Sequence, residues 1–132
     1  MSQTLTDAEK IERIRALNDM ARENPGVACR ANMALGFAAL PDHDRHAAVM
    51  QIIAFNQFTD DNDPHGEHDC ALIYRLATGQ WVQQRPDRED AITQTVIWKI
   101  DCYDKALEFG SEAPWDASQT VRVLTIMLGS EY

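Results

Sequence analysis

Two stretches with a period of two limit the folds open to this chain. Cys70, Leu72, Tyr74 and Leu76 alternate with Ala71, Ile73 and Arg75, and Val96, Trp98, Ile100 and Cys102 alternate with Ile97, Lys99, Asp101 and Tyr103. Neighbouring side chains of a strand point to opposite faces. Both stretches are therefore expected as strands, the second over residues 94–103 with Val96, Trp98, Ile100 and Cys102 toward the core. Thr78-Gly79 is a turn into a short strand near Trp81-Val82, and residues 83–92 form a charged connection. Strong strands with no helix between them form a meander, which predicts an antiparallel sheet.

Helical signals flank this meander. Thr6-Asp7-Ala8-Glu9 is a capping box, with a hydroxyl and a carboxylate placed to satisfy each other's backbone N–H. Ile11, Ile14 and Leu17 follow at helical spacing, so a helix is expected over 7–23, ended by Asn24-Pro25-Gly26. Residues 27–33 read as a short strand entering Leu35–Leu40. Pro41 opens a second helix, which continues to Phe55 or Phe58. Segment 59–69 is a loop by composition, and 110–114 is a turn. Asp116 or Ser118 is expected to cap a last helix with Val121, Leu124 and Leu128 inward. The expectation is one α+β domain over 1–132: a small antiparallel sheet of three to four strands with about three helices, in the order α-β-α-β-β-(β)-α.

A chain of 132 residues can bury a core without staples. No apolar run nears the ~18 residues that would suggest a membrane span. The start, Met1 to Asp7, is polar and acidic rather than signal-like, so the cytoplasm is the expected location. Cys29, Cys70 and Cys102 are odd in number and widely spaced, which fits buried free thiols and not a disulfide framework.

The net charge of −9 is concentrated. Residues 1–40 balance five basic against five acidic side chains, whereas 41–70 set one Arg against seven acids. All four histidines also lie in that middle segment. No basic stripe exists to engage a phosphate backbone, so direct nucleic-acid binding is not expected. A cation or a basic protein surface suits this field better.

The densest polar stretch is Asp60-Asp61-Asn62-Asp63-Pro64-His65-Gly66-Glu67-His68-Asp69. Imidazole with carboxylate suits zinc or manganese, and Asp61, Asp63, His65, His68 and Asp69 are the candidate ligands. The order is not that of a zinc protease, and a calcium loop counted from Asp61 has Leu72 at its twelfth place. The bland reading is a loop of turn formers bonding their own backbone. Pairing of the two strong strands would bring Asp69 near Asp101 or Asp104, making Glu67, His68 and Asp101 candidate acid/base groups. The bland reading there is a salt-bridged corner, with Lys99, Lys105 or Arg75 as partner. His43 and His46, at the start of the second helix, read as an exposed polar turn. Trp98 is expected in the core and Trp115, beside Pro114, at a contact surface.

The blocks Asp61–Asp69, Trp98-Lys99-Ile100-Asp101-Cys102-Tyr103-Asp104, Leu107–Ser111 and Arg122–Tyr132 resemble those of a bacterial domain-of-unknown-function family, number 3768. Ile14–Asp19 and Ala39-Leu40-Pro41 fit as well. The resemblance implies a small cytoplasmic protein of the kind often carried on plasmids and integrating elements, with no assigned reaction.

Three functions follow as expectations. The first is a non-enzymatic accessory protein of a mobile element that binds a protein with a basic surface. It would act as an inhibitor of a nucleic-acid-binding defence complex and use Asp60, Asp61, Asp63, Glu67 and Trp115. The second is a metal-dependent hydrolase built on the 60–69 segment. The third is a regulator that forms a homodimer through the exposed rim of its sheet.

Overall fold

The computed structural model describes residues 4–132. Helix α1 (Asp7–Glu23) begins at the capping box: Glu9 N–H donates to Thr6 Oγ1 and Thr6 N–H to Glu9 Oε1, both at 3.1 Å. Strand β1 (Arg30–Met33), the single turn α2 (Leu35–Ala38) and helix α3 (Asp42–Ile53) follow. Strands β2 (Cys70–Leu76), β3 (Trp81–Val82), β4 (Ile92–Tyr103) and β5 (Val121–Leu128) complete the chain, with short 3-10 turns at Glu89–Ala91, Ala117–Gln119 and Gly129–Glu131. Among the described residues no helix is long and apolar enough to cross a membrane.

The strands form one mixed sheet of five, ordered β1-β5-β4-β2-β3. The expected antiparallel pairing holds for β2 with β3 and for β2 with β4, with Ala71 opposite Trp98 and Ile73 opposite Val96, but the three strands are not the expected meander, because β2 lies between β3 and β4. The expected count of three to four strands is one or two short, and the sheet is not wholly antiparallel, because β1 lies parallel to β5. The expected last helix is β5. Val121, Leu124 and Leu128 do fall at helical spacing, but β5 is an interior strand buried on both faces. Such a strand shows no polar alternation, and an apolar run that short does not separate helix from strand by period. Asp116 does cap, but it caps the brief turn at Ala117–Gln119, where Ser118 N–H donates to its Oδ1 at 2.9 Å. Residues after β1 turn into α2 instead of extending it, because a carboxylate from the far end of the chain, Glu131, accepts from Gly36 N–H (2.7 Å) and Phe37 N–H (3.1 Å).

The helices pack on one sheet face. Trp98, Val96, Ile100, Leu124, Ile126, Ala71 and Ile73 meet Ala21, Phe37, Ala48, Ile52 and Phe55 there, so the inward set expected for β4 is correct except for half-buried Cys102. The other face carries Leu72, Ile97, Lys99 and Asp101, and among the described residues no helix lies over it. The thiols are free, but the expected burial fails: Cys70 sits at the start of β2 on that second face and is exposed, while Cys29 and Cys102 are half-buried.

Candidate functional site

The 59–69 loop is built by its own polar groups before it meets anything else. Thr59 N–H donates to Asn62 Oδ1 at 2.7 Å, Asn62 N–H to Thr59 Oγ1 at 3.2 Å, and Asn62 Nδ2 to the Gln57 carbonyl at 2.8 Å. Asp63 is buried and accepts the backbone N–H groups of Glu67 (3.1 Å) and His68 (3.2 Å). The tight return this requires places Gly66 at φ +68° and His68 at φ +53°, the left-handed region that suits glycine and costs other residues energy.

One face of α1 then straps the loop down. Arg15 Nε donates to the Gly66 carbonyl at 2.6 Å, and Asn18 Nδ2 donates to the Glu67 carbonyl at 2.9 Å. Asp19 Oδ1 holds His68 Nδ1 at 2.8 Å and also meets Arg22 at 2.8 Å. The His68 ring stacks on Phe58 with centroids 3.8 Å apart and planes 4° from parallel. Asn18 has a second task. Its Oδ1 accepts from Arg122 Nε at 2.7 Å, while Arg122 Nη2 donates to the Pro114 carbonyl at 2.6 Å. Loop, helix, β5 and the 110–120 connection therefore meet at one buried amide, 1% exposed.

Beside this junction is a pit of about 300 Å³ lined by Asn18, Glu67, Asp69, Asp101, Cys102 and Ser111, with Ile14, Ile100 and Pro114 as its apolar wall. The strand register expected from sequence does bring Asp69 and Asp101 together here, with the Asp69 carbonyl accepting Ile100 N–H at 2.7 Å. Burial pushes the Glu67 carboxyl above its ordinary range, and the Asp69 charge adds to that. Burial likewise raises Asp69, with Asp63 and Asp101 adding to the effect, while its own backbone and His65 oppose it. The Cys102 thiol is pushed up by burial. Asp101 is not wholly free, since Lys99 Nζ stands 3.1 Å from its Oδ2. Asp104 is elsewhere, accepting Glu108 N–H at 3.0 Å within its own turn.

The remaining candidates separate. Asp60, Asp61 and His65 are exposed. His68 meets Asp19 and Phe58 and lies outside the pit that Glu67 and Asp101 line. Asp63 is closed off inside the loop and presents no surface to a partner. Trp115 is half-buried with Lys10 Nζ 4.2 Å above its ring, in a groove that Arg13, Leu17 and Asp116 also line. His43 is exposed at the start of α3, and buried Asp44 beside it accepts from Trp81 Nε1 (3.1 Å) and Arg75 Nε (3.0 Å). The Trp81 bond is the largest of the causes that lower Asp44. The donor set expected for zinc or manganese does not fit a metal. Asp63 accepts backbone N–H groups inside the loop, and among the described residues no three His, Cys, Asp or Glu converge as ligands.

Sequence reasoning assigned no role to Arg15, Asn18, Asp19 or Arg122. A signal was present: Asn18 falls within the apolar stripe of α1, one residue past Leu17 and four past Ile14, and Arg122 interrupts an apolar run. A polar group in a buried stripe demands a partner.

No curated protein and no solved structure matches this chain. A family model described as a protein of unknown function (DUF3768) matches residues 33–131, which takes in the loop, β2 to β5 and the lining of the pit apart from Ile14 and Asn18. Since that match covers well over half of its length, the chain belongs to the DUF3768 family.

Proposed function

We propose that this chain works by binding a protein with a basic surface, as an accessory protein of a mobile genetic element. The observation that carries this reading is the sheet face opposite the helices, with the acidic loop beside it. Cys70, Leu72, Tyr74, Ile97 and Lys99 floor a concavity of about 460 Å³ on that face, and Gln57, Thr59 and Asn62 of the loop border it. The size is that of a recognition pocket rather than a packing defect. Asp60 and Asp61, next to that border, make no ion pair among the described residues, and they ride on a loop fixed by α1. Fixed charges lose little entropy on association and steer a basic partner. The finer reading is an inhibitor that occupies a basic nucleic-acid channel.

The test is affinity capture from a bacterial lysate with wild-type chain and with Asp60→Lys/Asp61→Lys, over a salt series and with a DNA duplex as competitor. The reading expects one partner that the double variant fails to retain, that is released near about 0.5 M salt, where charges are screened within a few Å, and that DNA displaces. A partner indifferent to salt and to both substitutions refutes it, and so does capture of none.

A second reading has its own observation. Glu67 and Asp69 hold their protons to higher pH than ordinary carboxyls and share a pit with Asp101. Carboxyls tuned in this way serve general acid/base chemistry. That reading needs no metal. A panel of small ester, amide and glycoside substrates decides it: turnover lost in Glu67→Gln, with the fold retained, supports it, and an inert wild-type chain removes it.

A further inference from the structure

Strand β1 is an outer strand of the sheet, and all four of its residues are exposed. Its last residue, Met33, is apolar and 47% exposed, and apolar side chains flank it on both sides: Val27 is 89% exposed and Leu35 88%. Exposed edges of this kind are templates for a further strand, and soluble proteins blunt them with charge. Here the blunting is slight: the strand is short and carries one charge. Between Pro25 and Pro41, Arg30 is the only charged residue, in a chain of net charge −9.

The backbone states which groups are free. Ala34 N–H donates to the Ile126 carbonyl at 2.9 Å, so residue 34 points its polar groups at β5. Backbone groups alternate in direction along a strand, so Asn32 and Arg30 also face β5, while Ala31 and Met33 present N–H and C=O outward. Among the described residues no strand pairs with that outer edge.

We propose that β1 pairs antiparallel with β1 of a second copy of this chain, about a two-fold axis through Asn32. Ala31 then exchanges both backbone bonds with Met33 of the other copy, and Met33 with its Ala31. Arg30 comes opposite Ala34, not opposite the other Arg30. The two sheets join into one, and an isologous contact closes at a dimer. The charge pattern selects this occupant: self-repulsion acts against two copies meeting at the acidic 41–70 surface, and the 25–41 stretch is where they can approach. The proposal is independent of the function proposed above, which uses the sheet face and not its edge.

Sedimentation equilibrium of the full chain over a wide concentration range is the first measurement. It should show a monomer–dimer equilibrium that Met33→Lys weakens by about tenfold or more, since the charge enters the interface twice. Leu72→Lys, on the uncovered face, should leave it unchanged. A chain monomeric throughout, or a dimer insensitive to Met33→Lys, overturns the proposal. Register is tested separately in a Cys29→Ser/Cys70→Ser background. Asn32→Cys should give a disulfide-linked dimer on mild oxidation and Arg30→Cys should not. The reverse result, or equal linking by both, overturns the two-fold through Asn32.

Discussion

Asn18→Leu tests the junction that holds the candidate site together. The substitution nearly conserves volume and suits the apolar stripe of α1, so what it removes is the two hydrogen bonds. Arg122 Nε loses its 2.7 Å acceptor, and the Glu67 carbonyl loses its 2.9 Å donor. A bond to a charged group contributes about 1.5–3 kcal/mol, and an unpaired buried carbonyl costs roughly a further 1 kcal/mol. The total is about 3 kcal/mol. For a domain of this size each kcal/mol moves the melting temperature by about 3–4 °C. A fall of about 10 °C is therefore expected by circular dichroism or scanning calorimetry. Urea unfolding supplies the free energy directly, with an unchanged slope showing that the denatured state is not the cause. Adding Arg122→Met should then cost less than its effect in the wild-type background, because the unpaired guanidinium is gone. A loss below about 1 kcal/mol for Asn18→Leu, or strict additivity in the double variant, would refute the assignment of Asn18 as the common anchor.

Gly66→Ala forces a side chain into φ +68° and places a Cβ 3.2 Å from Arg15 Nη2, so a loss of about 1–2 kcal/mol is expected in urea unfolding. Asp44→Ala leaves Trp81 Nε1 and Arg75 Nε without their acceptor and should cost about 2 kcal/mol. Its pH signature is also defined. The folded pKa of Asp44 is lowered, so its stabilisation is present above the ordinary 3.8 and is lost as pH falls through the folded value. Asp69 runs the other way. Its folded pKa is raised, so the folded state is favoured below 3.8 and loses that advantage as pH rises through the folded value. Asp69→Asn should accordingly raise the melting temperature at pH 7 and leave it nearly unchanged at pH 3. Equal shifts at both pH values would show that the carboxylate is not penalised in the pit.

What was legible in the sequence follows from where periodicity survives burial. Helix α1 announces itself by its capping box, and β4 by an alternation that persists because one sheet face is covered and the other is not. Strand β5 hides because, between β1 and β4, its residues on both faces are buried, so a helical spacing could be drawn through the same apolar run. The parallel pairing of β1 is a long-range fact, made by residues more than ninety positions apart, and no local pattern encodes it. The site divides in the same way. The 59–69 loop and the approach of Asp69 to Asp101 were visible, one by composition and the other by strand register. The strap from α1 was not, because Arg15, Asn18 and Asp19 look like ordinary helix residues until the loop lies against them.

A polar side chain satisfied inside the fold cannot also meet a ligand without breaking the bond it already has, and that cost weighs against function at each residue so used. Applied to the 60–69 segment, this rule sorts side chains that composition alone leaves equal. Asn62, Asp63 and His68 are committed to holding the loop. Glu67 and Asp69 are neither tied nor free, because partial burial holds them in the pit with their protons retained to higher pH. Asp60, Asp61 and His65 are the ones left facing water. The acidic field that suggested a binding role is therefore narrower at this surface than the count of carboxylates implies, and it is borne by a rigid support. In a dimer joined through β1 the two sheets become continuous, and each copy brings one such loop. A partner with two basic patches at the matching separation would bind with the second contact already intramolecular, and would gain more from that than from any single ion pair. Comparing Met33→Lys with Asp60→Lys/Asp61→Lys in the same capture experiment separates the two contributions. The first should weaken retention of a two-patch partner while leaving the intrinsic contact intact, and the second should abolish it.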